Sequence, residues 1–181
     1  MKYHTDNELQ NFRFEGAYIA ETCAVNGIFE MILDNVTILP QNSCNRDIRE
    51  MRANELKLKI REPEITAFVE EGYKVYDADG NLKEKKEDIL IAPEDQAAKL
   101  KELEGCEIYS IEQEKGVYTV SIDTEDHTFM IKVSGSADAE EWGHCFTNER
   151  KLIGKGLAQT LAVPVGEAAG EKDGIRRRVE R

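Results

Sequence analysis

The sequence from Cys106 to Val133 alternates apolar and polar residues through three short runs that two turn segments separate. The apolar positions of the second and third runs are Tyr118, Val120, Ile122, Phe129, Ile131 and Val133. A period of two is that of a β-strand, whose successive side chains point to opposite faces of a sheet. The pattern therefore predicts an antiparallel meander with one buried face and one face in water.

The same alternation occurs in the first half of the chain, at residues 56–61 (Leu-Lys-Leu-Lys-Ile-Arg). We expect a mainly β fold of about eight or nine short strands, arranged as an antiparallel β-sandwich or a strongly bent sheet, with a half-open barrel as the alternative. Residues 93–104 predict a helix, because proline and two acidic residues begin it and Gly105 follows its end. A second, short helix is predicted near residues 138–146, with Asp138 as its N-cap.

Charge is distributed unevenly along the chain. Residues 1–146 carry 16 basic and 31 acidic side chains, a net charge of −15, and residues 147–181 have a net charge of +3. We predict a single β-rich domain over residues 1–150. Residues 151–181 are rich in Gly and Ala and have no sheet period, which predicts a loosely packed or disordered tail. A helix through Leu152, Leu157 and Leu161 is the alternative for this segment.

The sequence also bears on the compartment. The first eleven residues are polar and no run approaches about 20 apolar residues, so we expect neither a secretory signal nor a membrane-spanning helix. The four cysteines, Cys23, Cys44, Cys106 and Cys145, are then interpreted as free, mostly buried thiols in a reducing compartment. These features predict a cytoplasmic protein, by default of a bacterium.

The acidic composition favours some partners over others. Negative charge repels phosphate backbones, so nucleic acid is not an expected partner of the main domain. A basic protein partner is favoured instead. The oligomeric state stays open, and a dimer through a sheet edge or face is one alternative.

The sequence contains no evident catalytic arrangement of nucleophile, base and orienting group. His144 and Cys145 are adjacent, and neighbouring side chains do not form a nucleophile–base pair by themselves. We interpret Cys145 as a buried, inert thiol within the predicted helix. The sequence therefore predicts no catalytic residue and no cofactor, and the lack of a C-x-x-C pair gives a structural zinc site little support.

Acidic residues cluster in the segment 77–88. Asp77, Asp79 and Asn81 have the spacing of the first three ligands of a calcium loop, and Asp88 falls at its twelfth position. However, Leu82 stands where the loop requires glycine, and strand patterns rather than helices flank the segment. A β-hairpin turn is the favoured interpretation and a calcium site the alternative.

A second group of polar residues lies at the turn after the second run of the meander. Asp123, Asp126 and His127 could bind a ligand or transfer protons if the fold brings a cavity to them. Tyr73 and Tyr76 flank the acidic hairpin and would form a recognition surface if they are exposed. The candidate binding residues are thus Tyr73, Tyr76, Asp77, Asp79, Asp123, Asp126 and His127.

Three arginines recur at every third position: Arg46, Arg49 and Arg52. On a helix they would form a basic strip that binds an anion or an acidic partner. The alternative is that they form ion pairs with Asp47, Glu50 and neighbouring carboxylates.

Two segments carry a resemblance: residues 70–82 (Glu-Glu-Gly-Tyr-Lys-Val-Tyr-Asp-Ala-Asp-Gly-Asn-Leu) and residues 122–128 (Ile-Asp-Thr-Glu-Asp-His-Thr). Both are similar to segments of short β-rich proteins of clostridial-type Firmicutes, some of which are named lantibiotic (subtilin) biosynthesis sensors. A sensor kinase needs membrane spans, a phosphoacceptor histidine box and glycine-rich nucleotide loops, and none is in this sequence. The resemblance covers about residues 5–150, and it implies no catalytic residues.

These features together predict a cytosolic binding or interaction module with an acidic surface. One alternative is a small-ligand-binding or enzymatic β-barrel that uses the residues near 123–127. The other is a module stabilised by calcium at residues 77–88.

Overall fold

The computed structural model describes residues 3–25 and 27–146, all within one compact unit. The strands in this part of the chain are β1 (Tyr3–Asp6), β2 (Phe12–Arg13), β3 (Ala17–Val25), β4 (Ile28–Asp34), β5 (Val36–Ile38), β6 (Met51–Ala53), β7 (Leu56–Arg61), β8 (Glu64–Glu70), β9 (Lys74–Tyr76), β10 (Leu82–Lys85), β11 (Ile89–Leu90), β12 (Glu107–Glu114), β13 (Val117–Asp123), β14 (Thr128–Ser134), β15 (Ala137–Trp142) and β16 (Cys145–Phe146). One α-helix, α1 (Pro93–Glu102), and a 3-10 turn at Leu9–Asn11 complete the described elements. The prediction of a mainly β, antiparallel fold is confirmed.

Ten of the strands form one antiparallel sheet in the order β1-β15-β7-β4-β3-β12-β13-β14-β8-β11. A four-stranded sheet has the order β16-β6-β5-β2, and β9 pairs only with β10. The predicted meander corresponds to β12, β13 and β14, which are consecutive neighbours in the large sheet.

Two short connections show that the large sheet is strongly bent. β14 and β15 are six positions apart in the sheet, which would separate them by about 29 Å if the sheet were flat. Only Gly135 and Ser136 join them, and three residue steps span at most about 11 Å. The two residues between β7 and β8 join strands that are also six positions apart. The sheet therefore curves back on itself, in a sandwich-like arrangement.

Gly135 is required at this corner for a steric reason. A Cβ atom there would lie 2.3 Å from Cγ2 of Ile60 and 3.0 Å from the carbonyl oxygen of Arg61. The N–H of Ser136 donates to that same oxygen at 3.0 Å. The absence of a side chain thus lets the end of β14 pass close to the end of β7.

The core contains the residues that the alternating pattern predicted. All nine apolar positions of residues 56–61 and of the second and third runs of the meander are buried, and none is more than 5 % exposed. Val36, Ile38 and Ala53 of the four-stranded sheet belong to the same cluster, so the two sheets share one core.

Helix α1 agrees closely with the predicted helix at 93–104. Proline is in its first turn with Glu94 and Asp95, and the chain reverses at Gly105, whose φ is +90°. Leu100 and Leu103 are buried. Among the residues described, no helix is long and apolar enough to cross a membrane.

The predicted short helix near 138–146 is wrong, because this segment forms β15 and β16 instead. β15 lies between β1 and β7 and pairs with both. Asp138, Glu140 and Trp142 share its buried face, so two acidic residues occupy core positions. The alternation of apolar and polar residues that predicts a strand is therefore missing from this segment. The described strands also exceed the predicted eight or nine, because several have only two to four residues. The predictions for 151–181 lie outside the described residues.

Candidate functional site

β9 and β10 form a two-stranded ribbon that is exposed along its whole length. All seven of its residues are accessible to solvent. Six large apolar or aromatic side chains in and beside the ribbon are 41–72 % exposed. These residues, which we call the hairpin surface, are Tyr73, Val75, Tyr76, Leu82, Ile89 and Leu90.

The base of the ribbon is fixed to the large sheet at Gly72. Its N–H donates to Oδ1 of Asp88 at 2.8 Å, and a Cβ atom here would lie 2.1 Å from the carbonyl oxygen of Lys86. Nζ of Lys86 donates to Oε1 of Glu70 at 2.6 Å. This hydrogen bond holds the pKa of Glu70 below its usual value, against the opposing effect of burial. Only glycine fits this crossing of the two chain segments.

Asp77 closes the tip of the ribbon. Its Oδ1 accepts hydrogen bonds from the backbone N–H groups of Asn81 and Asp79 at 2.8 and 3.0 Å, and these bonds, the one from Asn81 first, lower its pKa. This is the geometry of a side-chain-stabilised hairpin turn. Within residues 3–25 and 27–146, no group of three or more His, Cys, Asp or Glu side chains is placed to hold a metal ion.

An open cleft of about 380 Å³ lies between the base of the ribbon and the β13–β14 turn. Residues 71–73 and 123–128 line it, and they include no lysine or arginine. Its four carboxylates are Glu71, Asp123, Glu125 and Asp126. We call it the acidic cleft.

Among the described residues that line the acidic cleft, His127 is the one ionisable nitrogen base. Its Nδ1 is buried, lies 3.7 Å from Oε1 of Glu70, and has no hydrogen-bond partner among the described residues. Thr124 fixes the turn, since its Oγ1 accepts from the N–H of His127 at 2.9 Å and donates to its carbonyl oxygen at 2.7 Å. The imidazole is therefore held beside a carboxylate that already binds Lys86.

The structure divides the predicted binding residues between two places. Tyr73, Asp123, Asp126 and His127 come together at the acidic cleft. The other three, Tyr76, Asp77 and Asp79, lie on the ribbon and at its tip.

The sequence does not reveal Val75, Leu82 and Leu90 as surface residues. Val75 and Leu82 alternate with more polar neighbours, which is also the signal of a buried face, and Leu90 lies in the apolar run Ile89-Leu90-Ile91, which is typical of a buried strand. The tyrosines of the meander show the same ambiguity, because Tyr109 is 61 % exposed and Tyr118 is 1 % exposed.

The predicted basic strip of Arg46, Arg49 and Arg52 is not formed. Residues 45–50 are not helical, because Asn45 and Asp47 use their side chains to hydrogen bond to backbone groups of this loop. Arg49 pairs with Asp47 at 3.3 Å, and Nη1 of Arg52 donates to the carbonyl oxygen of Asn35 at 3.0 Å.

Arg46 instead lines a separate cavity of about 610 Å³. The other lining residues are Tyr3, His4, Ser43, Cys44, Asp47, Met51 and Cys145. Cys145 was expected to be buried in a helix, but it lies in β16 and is half-buried at this cavity, which we call the thiol cavity. The expectation that the cysteines are mostly buried is wrong, because Cys23 is exposed and the other three are half-buried.

A pair of buried carboxyl groups lies on the inner face of β15. Asp138 is 3 % exposed and Glu140 is fully buried. Oγ1 of Thr5 donates to Oε2 of Glu140 at 2.6 Å. Burial, with the neighbouring Asp138 adding to its effect, raises the pKa of Glu140 to about 8. One oxygen of each carboxyl group has no other partner in the described structure, so a single proton between them would satisfy both.

No family model, no curated protein and no solved structure matches this chain. The resemblance to proteins of clostridial-type Firmicutes stays a prediction.

Proposed function

We propose that this protein is an interaction module that binds a basic protein segment through the hairpin surface and the acidic cleft. The observation that carries the proposal is the position of Tyr73. It is a member of the hairpin surface and also lines the acidic cleft, so the apolar and the acidic regions are continuous.

The ribbon supports a binding role because its apolar side chains are not used for folding. A two-stranded hairpin alone in water is marginally stable, and contiguous exposed apolar side chains often mark interaction sites. Here the exposed side chains include two tyrosines, a residue type enriched at the centres of interfaces. A partner that covers Tyr76 and Leu82 would bury area that folding leaves in water.

Charge supports a basic partner. Four carboxylates line the acidic cleft, and the whole chain has a net charge of −12. A lysine or arginine side chain in the cleft would relieve the mutual repulsion of these carboxylates, and the overall field would speed its approach. The partner expected is therefore an extended segment in which basic and apolar residues alternate.

The four cysteines support a reducing compartment such as the cytoplasm as the place of this interaction. Cys23, Cys44, Cys106 and Cys145 are all unpaired. Free thiols persist in compartments that glutathione and thioredoxin keep reduced.

A short fluorescein-labelled peptide of alternating Arg and Val residues tests the proposal by fluorescence polarisation. We expect the double variant Asp123→Asn, Asp126→Asn to bind the peptide about tenfold more weakly, which corresponds to a loss of about 1.4 kcal/mol of binding free energy. The matched control, Glu112→Gln with Glu114→Gln, removes the same charge from exposed positions of β12 outside the cleft. Equal weakening by both double variants would mean unspecific charge attraction and would overturn the proposal.

The apolar part of the surface has its own control. Tyr76→Ser removes a side chain that is 56 % exposed on the ribbon, and Tyr109→Ser removes one that is 61 % exposed on β12. We expect only the first to weaken peptide binding. A peptide of alternating Glu and Val residues should not bind, and raised salt should weaken the Arg–Val peptide.

A small cationic ligand in the acidic cleft is a second candidate, which the four carboxylates of the lining favour. Under this hypothesis spermidine shifts the NMR signals of residues 123–128 and leaves those of the ribbon unchanged. Shifts on the ribbon alone would reject it.

A further inference from the structure

We propose that the thiol cavity binds a small organic carboxylate with an apolar body, through Arg46 and the half-buried side chains around it. This site is separate from the acidic cleft, and the described residues that line the two have no member in common.

The cavity has the size and the walls of a ligand site. Its volume of about 610 Å³ falls within the range of about 300–1,000 Å³ that small-molecule sites occupy. Tyr3, Cys44, Met51 and Cys145 are partly buried and pack against the core. The ring of Tyr3 is also stacked on Trp142 with 5.4 Å between centroids, so this wall is fixed before any ligand arrives.

The charges around the cavity leave one cation available. Asp47 is paired with Arg49 at 3.3 Å, and Nε2 of His4 is 2.9 Å from Oδ2 of Asp6. Arg46 is exposed, and it forms no ion pair or hydrogen bond with the part of the chain that the structure describes. Its guanidinium group is therefore free to bind a ligand.

Arg46 selects the class of ligand. A guanidinium group presents two parallel N–H donors that match the two oxygens of a carboxylate. One arginine neutralises one charge, and the neighbouring carboxylate of Asp47 disfavours a dianion such as a phosphate monoester. Ile48 follows Asp47 directly and is 93 % exposed, so the loop that carries Arg46 also presents an apolar side chain to solvent.

The test compares 1-naphthoate with its uncharged analogue 1-naphthalenemethanol, followed by their fluorescence with the full chain. We expect the carboxylate to bind about tenfold more tightly, and Arg46→Gln to remove this difference while the alcohol binds as before. Lys132→Gln removes the same charge from β14, outside the cavity, and should change neither affinity. Equal affinity of the two compounds for the unmodified protein, or an equal loss in both variants, would overturn the proposal.

Thiol alkylation gives a second measurement that does not depend on a variant. Bound 1-naphthoate should slow the reaction of iodoacetamide with Cys44 and Cys145, which line the cavity. Cys23 is exposed elsewhere on the chain and is the internal control, so its rate should not change. Binding without protection of the two cavity thiols would place 1-naphthoate elsewhere and would reject the proposed site.

Discussion

The hydroxyl group of Tyr118 on β13 donates a hydrogen bond of 2.8 Å to Oδ1 of Asp138 on β15. These two strands are five positions apart in the large sheet, so the bond crosses the interior that the bent sheet encloses. This hydrogen bond joins the predicted meander to β15, a strand that the sequence did not predict. It also supplies a donor to the buried carboxyl group of Asp138.

Replacing Tyr118 with phenylalanine should lower the free energy of unfolding by about 1–3 kcal/mol, because Oδ1 of Asp138 would lose its donor while staying buried. Urea denaturation measures the change. Tyr109→Phe is the control, since Tyr109 is 61 % exposed. Loss of its hydroxyl group should change the free energy of unfolding by less than about 0.5 kcal/mol. Equal effects of the two substitutions would contradict the importance of the buried bond.

The raised pKa of Glu140 predicts how the free energy of unfolding depends on pH. Its pKa is raised from 4.5 to about 8 in the folded protein, so between these values the folded state keeps a proton that the unfolded state has released. Stability therefore falls as pH rises through this window, by at most about 1.4 kcal/mol per pH unit. In Glu140→Gln this slope should disappear, and urea denaturation at pH 5, 7 and 9 measures it. Parallel pH profiles for the two proteins would show that Glu140 does not titrate in this range.

Gly72→Ala should loosen the ribbon without unfolding the core. The added Cβ would meet the carbonyl oxygen of Lys86 at 2.1 Å, so one of the two crossing segments must move. Amide hydrogen exchange should accelerate in β9 and β10 and stay slow in β13. Gly143→Ala is the control, because nothing lies within 4 Å of the Cβ position there. Unchanged exchange in the ribbon would contradict the anchoring role of Gly72.

Gly135→Ala should reduce the free energy of unfolding by about 1–3 kcal/mol, the usual effect of overpacking a core. Its Cβ would lie 2.3 Å from Ile60 in the corner where β14 passes β7. Thermal denaturation checks this, again with Gly143→Ala as the neutral control. A melting temperature equal to that of the unmodified protein would mean that the corner can widen without loss of packing.

The sequence predicted those elements in which an apolar face is covered by the core. β7, β13 and β14 were recognised because each alternates regularly and each buries its apolar face. β15 was missed for the opposite reason, since Asp138 and Glu140 take core positions that normally carry apolar residues.

The candidate site was predicted in part for a similar reason. Turn residues such as Asp123 and His127 are recognisable by their chemistry, and the fold does bring them to one cleft. The meeting of Arg46 and Cys44 with Cys145 brings together segments about 100 residues apart in sequence, and exposure of the ribbon depends on which segments cover it. Local patterns do not contain that information.

Tyr3 pairs with Trp142, and Asp6 pairs with Ala139, so the first described strand has its partner near the end of the described chain. During synthesis β1 leaves the ribosome long before β15 and must wait, unpaired, until β15 emerges. Pairing over such a sequence separation slows folding, and a waiting strand exposes its backbone to other nascent chains. Its short length and the polar side chains of His4 and Asp6 reduce that risk, because short polar edges are poor templates for aggregation.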